Sequence, residues 1–98
     1  MNIQIIADNL ELSAADRLLI DEKINSSLEK LLTHFSPEQK IASVKVEKDK
    51  FDNFNINFDM NLPNKEHVYA ETQHISFESA LIDLVQAVEK QIKKYTRN

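Results

Sequence analysis

The chain has 98 residues, enough for one hydrophobic core and too few for two. Hydrophobic residues make up 42% and charged residues 29%, with only two prolines, which places it among soluble globular domains rather than disordered or collagen-like chains. The absence of glycine removes the P-loop, the dinucleotide fingerprint, the EF-hand loop and the nucleophile elbow, all of which need backbone that only glycine supplies easily. The absence of cysteine removes disulfides, thiolate nucleophiles and cysteine-ligated metal sites.

The net charge of −4 is an average over an uneven distribution. Residues 90–98 hold Lys90, Lys93, Lys94 and Arg97 with no acid, a local charge of +4, so residues 1–89 carry eight basic against sixteen acidic side chains. Residues 1–6 show no basic region ahead of an apolar run, and no stretch approaches the roughly 20 apolar residues of a membrane span. A cytoplasmic protein with no membrane partner is expected. No repeat, low-complexity segment or linker divides the chain, so residues 1–98 are expected to form a single domain.

In chain order, the alternation of Ile3, Ile5 and Ala7 against Asn2 and Gln4 predicts a first strand over residues 2–7, and Asp8-Asn9 predicts a turn. Ser13 stands as an N-cap with Asp16 at the third helical position, a capping box that starts a helix. Its apolar stripe runs Ile20, Ile24, Leu28, Leu31 and Phe35, and the helix is expected to last about five turns, to just before Ser36-Pro37. From Ile41 the period becomes two, with Val44 and Val46 against Ser43, Lys45 and Glu47, which predicts a second strand toward Lys50. Asp52-Asn53 turns the chain into the clearest strand, Phe54, Ile56, Phe58, Met60 and Leu62 against Asn55, Asn57, Asp59 and Asn61. Pro63-Asn64-Lys65 predicts a turn, and Val68, Ala70 and Thr72 against His67, Tyr69 and Glu71 predict a fourth strand. Ser76 then caps a second helix whose stripe is Phe77, Leu81, Leu84, Val85, Val88, Ile92 and Tyr95, with Lys90, Lys93, Lys94 and Arg97 on the opposite side. The sum is a two-layer α+β domain of order β-α-β-β-β-α: a four-stranded sheet with both helices packed on its apolar face and an asparagine-rich face left in water.

No residues combine into a catalytic or metal site. His67 and His74 lie seven apart on one predicted strand and so point to opposite faces, while His34 sits near the end of the first helix, where an imidazolium complements the helix dipole. Ser26, Ser27 and Ser79 have no base partner, and the pairs Asp21-Glu22 and Glu47/Asp49 read as solvated charge. No cofactor, no metal and no small-molecule substrate is expected. The basic residues carry more information. On the first helix Lys23, Ser26, Ser27, Lys30 and His34 share one flank, with Asp21, Glu22 and Glu29 toward the other. With the helices side by side, this flank and the Lys90/Lys93/Lys94/Arg97 face form one patch able to hold a phosphate backbone; the plainer reading is a solvated helix end whose lysines complement the macrodipole. Tyr95 falls on the core stripe and reads as packing, and the ladder Asn53, Asn55, Asn57 and Asn61 reads as a wet sheet face.

Several segments together resemble a known family. Ser43-Val44-Lys45-Val46-Glu47-Lys48, Asn61-Leu62-Pro63, Ala70-Glu71, Ser76-Phe77-Glu78-Ser79-Ala80 and Glu89-Lys90-Gln91-Ile92-Lys93-Lys94-Tyr95 are similar, in order and spacing, to the ribosome hibernation-promoting factor and ribosome-associated inhibitor family, over almost the whole chain. The resemblance implies a fold similar to a double-stranded-RNA-binding domain with an added first strand. It also implies a stationary-phase, stress-related translation inhibitor, not an enzyme, that binds ribosomal RNA of the small ribosomal subunit and occludes the channel of messenger and transfer RNA. The positions that match the family's basic pattern are Lys23, Lys45, Lys48, Lys90, Lys93 and Lys94; Lys30 and Arg97 join them from the helical wheel and the basic tail. Ser26-Ser27 stand where relatives often have another basic residue, and the chain ends without the long extension that pairs ribosomes in some relatives, so subunit binding is expected ahead of ribosome pairing. The alternative is a protein-interaction module of the same fold that uses its acidic or asparagine-rich surface. Pairing of two chains through an edge of the second or third strand is left open, and with it the oligomeric state.

Overall fold

The structure, a computed structural model, describes residues 1–33, 35–62 and 65–96. Its elements follow the expected order: β1 (Asn2–Asp8), α1 (Ala14–Leu28), a three-residue 3₁₀ turn (Pro37–Gln39), β2 (Ile41–Lys48), β3 (Phe54–Asn61), β4 (His67–His74) and α2 (Phe77–Thr96). The strands lie in sequence order, β1-β2-β3-β4. β1 and β2 are joined through a helix and run parallel, Ile5 opposite Val44, as such a crossover requires. Hairpins join the rest antiparallel, with Val44 opposite Phe58 and Phe58 opposite Ala70. β2 and β3 are therefore the two central strands; neither offers an edge for a second chain, and the edges are β1 and β4.

Period-two patterning puts Val44, Val46, Ile56, Phe58, Met60, Val68 and Ala70 on one face, where all are buried. Ile20, Ile24 and Leu28 of α1 and Ala80, Leu81, Leu84, Val88 and Ile92 of α2 close over them into one cluster. Full burial of an aliphatic or aromatic side chain stabilises by about 1.5–3 kcal/mol, so this cluster fixes both helices on the same side of the sheet. At the far end Phe54 and Phe77 meet edge to face, centroids 5.7 Å apart, and the Thr72 hydroxyl donates to the Ala80 carbonyl at 2.7 Å, tying β4 to the start of α2.

The helix starts are as the sequence predicts. The Ser13 hydroxyl accepts from the Asp16 N–H at 3.0 Å while the Asp16 carboxylate accepts from the Ser13 N–H, a complete capping box, and the Ser76 hydroxyl accepts from the Ser79 N–H. The end of α1 is not. The helix stops at Leu28 instead of continuing to just before Ser36-Pro37, and the chain goes on in tighter turns, Leu31 N–H to Leu28 carbonyl and Phe35 N–H to Leu32 carbonyl. The last helical turns contain Asn25 and Ser26, poor helix formers whose side chains bond back to the Asp21 and Lys23 carbonyls. The Glu29 carboxylate is held by the Met1 ammonium at 2.7 Å and Lys40 Nζ at 2.8 Å, which draws the chain toward the start of β1 and β2. In consequence Leu32, not Leu31, is fully buried, and Leu31 and Phe35 pack only at the margin.

With no glycine available, the positive-φ turn positions fall to Asn9 (62°), Asp52 (64°) and Lys65 (69°). Asn and Asp tolerate this region through short local hydrogen bonds. The β2–β3 turn is held by Asp49, whose carboxylate accepts from the N–H groups of Phe51 (2.8 Å) and Asn53 (3.1 Å) and from the side-chain amides of Gln73 (2.9 Å) and Asn55 (3.4 Å). Pro63 and Asn64 of the next expected turn lie outside the described residues. Among the described residues no helix is long and apolar enough to cross a membrane.

Candidate nucleic-acid interface

α1 and α2 pack side by side, so their C-terminal halves face each other across a groove of about 410 Å³ lined by Ser26, Ser27, Lys30, Leu31, Glu89 and Lys93. Two of the sequence-predicted cations, Lys30 and Lys93, thereby meet on opposite walls. Lys23 lies on α1 three and four residues before Ser26 and Ser27, on the same flank, and Lys30 follows just past the end of the helix. On α2, Lys93, Lys90 and Lys94 follow one another around about 100° of the helix, from the groove outward. All five are exposed, and none forms an ion pair among the described residues. Their heads are therefore free for an external anion. Both helices end here, so the backbone presents carbonyls rather than N–H groups, and the attraction for phosphate must come from the lysine side chains.

The remaining predicted cations lie elsewhere. Lys45 points from β2 to the open face of the sheet, 3.7 Å from the Asp8 carboxylate and 3.8 Å from that of Glu47. Lys48 stands at the opposite end of the sheet, its Nζ 5.3 Å from the centre of the Phe54 ring, beside a cleft formed with Leu10, Leu12 and Phe77. The structure thus groups Lys23, Lys30, Lys90, Lys93 and Lys94 and separates Lys45 and Lys48 from them. Arg97 and His34 lie outside the described residues.

Glu89 is the groove residue that sequence reasoning did not single out. It lines the groove four residues before Lys93, a spacing that places the two on neighbouring positions of one helix face, yet it pairs with neither Lys30 nor Lys93. The i−4 relation to Lys93 was the available signal.

The open face of the sheet has the opposite character. Asp8, Glu47, Asp59 and Glu71 outnumber Lys45, and Asn55, Asn57, Glu71 and Gln73 line a polar depression of about 250 Å³. His67 pairs with Asp59 at 2.7 Å on this face, while His74 pairs with Asp83 of α2, the opposite-face placement expected of residues seven apart on one strand. The Tyr69 hydroxyl is held above its ordinary value, first by loss of solvent around it and then by the neighbouring Glu71 carboxylate, to which it donates a hydrogen bond. Among the described residues no three His, Cys, Asp or Glu side chains converge as a metal site would need. Another depression, of about 510 Å³ and open to solvent, has Glu38 and Asp59 as its ionisable groups among the described residues.

The four-stranded mixed sheet under two helices is shared with solved structures across the full length of the chain. It superposes on a ribosomal subunit interface protein from Coxiella burnetii with a TM-score of 0.78, 19% identity and 100% of both chains covered. It superposes on the N-terminal domain of Protein Y from Thermus thermophilus with a TM-score of 0.75, 22% identity, and 97% of this chain and 99% of that one covered. No curated protein sequence matches. The family model of the Sigma 54 modulation protein / S30EA ribosomal protein matches residues 3–98, and the chain belongs to that family. It is the ribosome-associated modulation and hibernation family that the segments from Ser43 to Tyr95 resemble.

Proposed function

We propose that the chain is a ribosome hibernation factor that lays its lysine-rich helical face on ribosomal RNA of the small subunit and, by occupying the channel of messenger and transfer RNA, silences idle ribosomes in non-growing cells. The observation that carries this reading is the convergence of Lys30 and Lys93 on one interhelical groove, continued by Lys23, Lys90 and Lys94, all without ion-pair partners among the described residues, in a member of the S30EA family. One of its structural neighbours is itself a ribosomal subunit interface protein. Lysine heads that cross phosphates position a protein without reading bases, and occupancy needs no reaction, only affinity. The reading places the protein in the cytoplasm with the ribosomes. Lys45 and Lys48 lie outside this surface, Lys45 on the other face of the sheet and Lys48 at its far end.

Co-sedimentation with isolated small ribosomal subunits across a salt series tests the proposal. Near one-to-one binding is expected at low salt, and if all five lysines meet phosphates the logarithm of affinity falls against the logarithm of salt with a slope of about −4. Absence of binding at low salt, or binding indifferent to salt, overturns it. In that case the open face with Asn55, Asn57 and Glu71 becomes the surface to probe for a protein ligand.

A further inference from the structure

The sheet has two edges, and the protein treats them differently. At β4 the outward backbone groups of Tyr69 are taken by α2: the Tyr69 N–H donates to Gln91 Oε1 at 3.1 Å and its carbonyl accepts from Gln91 Nε2. His74 is further tied to Asp83 of the same helix. At β1 no hydrogen bond from the described residues reaches the outer edge. The Asn2 N–H donates inward to the Lys40 carbonyl at 2.8 Å, and with Asn2 registered on Ile41 the parallel ladder turns the groups of Asn2, Gln4, Ile6 and Asp8 toward β2. The N–H and C=O of Ile3, Ile5 and Ala7 therefore point outward.

Natural edge strands are usually guarded by lysine, proline, a bulge or a covering element. Residues 2–7 of β1 contain no charge and no proline, and the one charge on the strand, Asp8, is matched by Lys45. Ile3 and Ile5 are only partly buried, and Ile6 is 51% exposed on the open face.

We infer that β1 is a self-association edge at which two copies of this chain pair their β1 strands antiparallel about a two-fold axis through Ile5, joining two four-stranded sheets into one. The register follows from the strand itself. Centred on Ile5, the pairing sets the outward groups of Ile3, Ile5 and Ala7 against those of Ala7, Ile5 and Ile3 of the second copy, giving about six hydrogen bonds with no outward group left over. On the helix side Ile5 meets Ile5 and Ile3 meets Ala7. On the open side Gln4 meets Ile6 and Asn2 meets Asp8, so no like charges oppose. Such a contact is isologous and closed, which stops at two copies. A seven-residue edge is smaller than a standard stable interface, so the association is weak and depends on concentration. No residue of the proposed RNA surface lies on β1, so this inference and the ribosomal reading stand or fall separately.

Sedimentation of the purified chain from micromolar to millimolar concentration is expected to show its mass rising toward twice the monomer value; a monomer throughout overturns the inference. Ala7→Pro removes two of the intermolecular N–H donors at a position whose own sheet does not use that N–H, and proline is tolerated at such edge sites. It is expected to keep the circular dichroism of the native chain and to remain monomeric. Dimerisation of a folded Ala7→Pro to the native extent places the contact elsewhere and overturns the inference. A covalent readout makes the test independent of that variant, because the chain has no cysteine. Ile5→Cys puts two thiols across the axis at an antiparallel spacing that a disulfide spans, and mild oxidation is expected to cross-link it. Ile3→Cys is expected to cross-link only when mixed with Ala7→Cys. Failure of Ile5→Cys to cross-link, or equal self-linking by Ile3→Cys, overturns the register.

Discussion

Lys93 and Lys45 are both solvent-accessible lysines of one small molecule, but their surroundings differ. Lys45 stands on the open side of the sheet between the Asp8 and Glu47 carboxylates, within 3.7 and 3.8 Å. Lys93 faces Lys30 across the interhelical groove, with a single carboxylate among the described residues, Glu89, on the lining and no ion pair to it. The first lysine already has its anions; the second needs one from outside. What separates them is the topology, which sends the strands' outward acids to one side and the C-terminal halves of both helices to the other. A net charge of −4 therefore coexists with a surface suited to phosphate.

The most direct way to break this contrast is to reverse the helical side. Lys90→Glu, Lys93→Glu and Lys94→Glu together should lower affinity for the small subunit by on the order of a hundredfold at low salt and flatten the salt dependence by about three powers, one for each phosphate no longer neutralised. Co-sedimentation reads both quantities. Unchanged binding would move the RNA surface away from α2.

The acids also have structural uses, and Asp49 shows one. Partial loss of solvent pushes its carboxyl up, but the N–H groups of Asn53 and Phe51 and the amides of Gln73 and Asn55 together hold it below its ordinary value. Glu29 is lowered as well, first by the hydrogen bond from Lys40 and then by that from the Met1 ammonium. Asp49→Ala is expected to lower Tm by roughly 5 °C while leaving subunit binding intact, read by thermal melts beside co-sedimentation. The pH dependence follows from the sign of the shifts. Both carboxylates are more acidic folded than unfolded, so their contribution is complete above the ordinary carboxylate range at about pH 4 and is lost as pH falls through their lowered values. Acid melts of Glu29→Gln should show a shallower loss of stability than those of the native chain.

Glu89 offers a way to sharpen the contrast. Among the described residues it is the one acid on the lining of the groove, and Glu89→Gln keeps its shape while removing its charge. Affinity should rise about two- to fivefold at low salt, and the gain should fade as salt screens it. A loss of affinity would mean that Glu89 orders the lysines rather than opposing the phosphate.

How much of this was legible beforehand depends on the range of the interaction concerned. β3 and α2 read correctly because their periods, two and 3.6, are written in adjacent residues and the core confirms them from Phe54 to Leu62 and from Phe77 to Ile92. The capping box was equally local, Ser13 with Asp16. The end of α1 was not, because Leu31 and Phe35 continue a helical spacing while Glu29 is drawn to Lys40 and Met1, eleven and 28 residues away. The grouping of the lysines was half legible: a helical wheel puts Lys30 and Lys93 on suitable faces, but only the packing of α1 on α2 brings them to one groove. The separate position of Lys45 was not legible, because the carboxylate of Asp8 beside it comes from a strand whose parallel register no local pattern encodes.

That last residue supplies the smallest expected effect. Lys45 is among the basic positions expected from the family resemblance, but it lies on the face of the sheet away from the groove and has two carboxylates beside it. Lys45→Glu should therefore change affinity for the small subunit by less than about twofold. Its cost belongs to stability, where three acids would crowd β1 and β2; an exposed pair is worth about 0.2–1 kcal/mol, so a small drop in Tm is expected. Running Lys45→Glu beside the α2 triple reversal in one salt series puts the contrast between the faces to a single measurement. Comparable losses in both would mean that RNA wraps around the edge of the sheet, and that the carboxylates of Asp8 and Glu47 release Lys45 when it does.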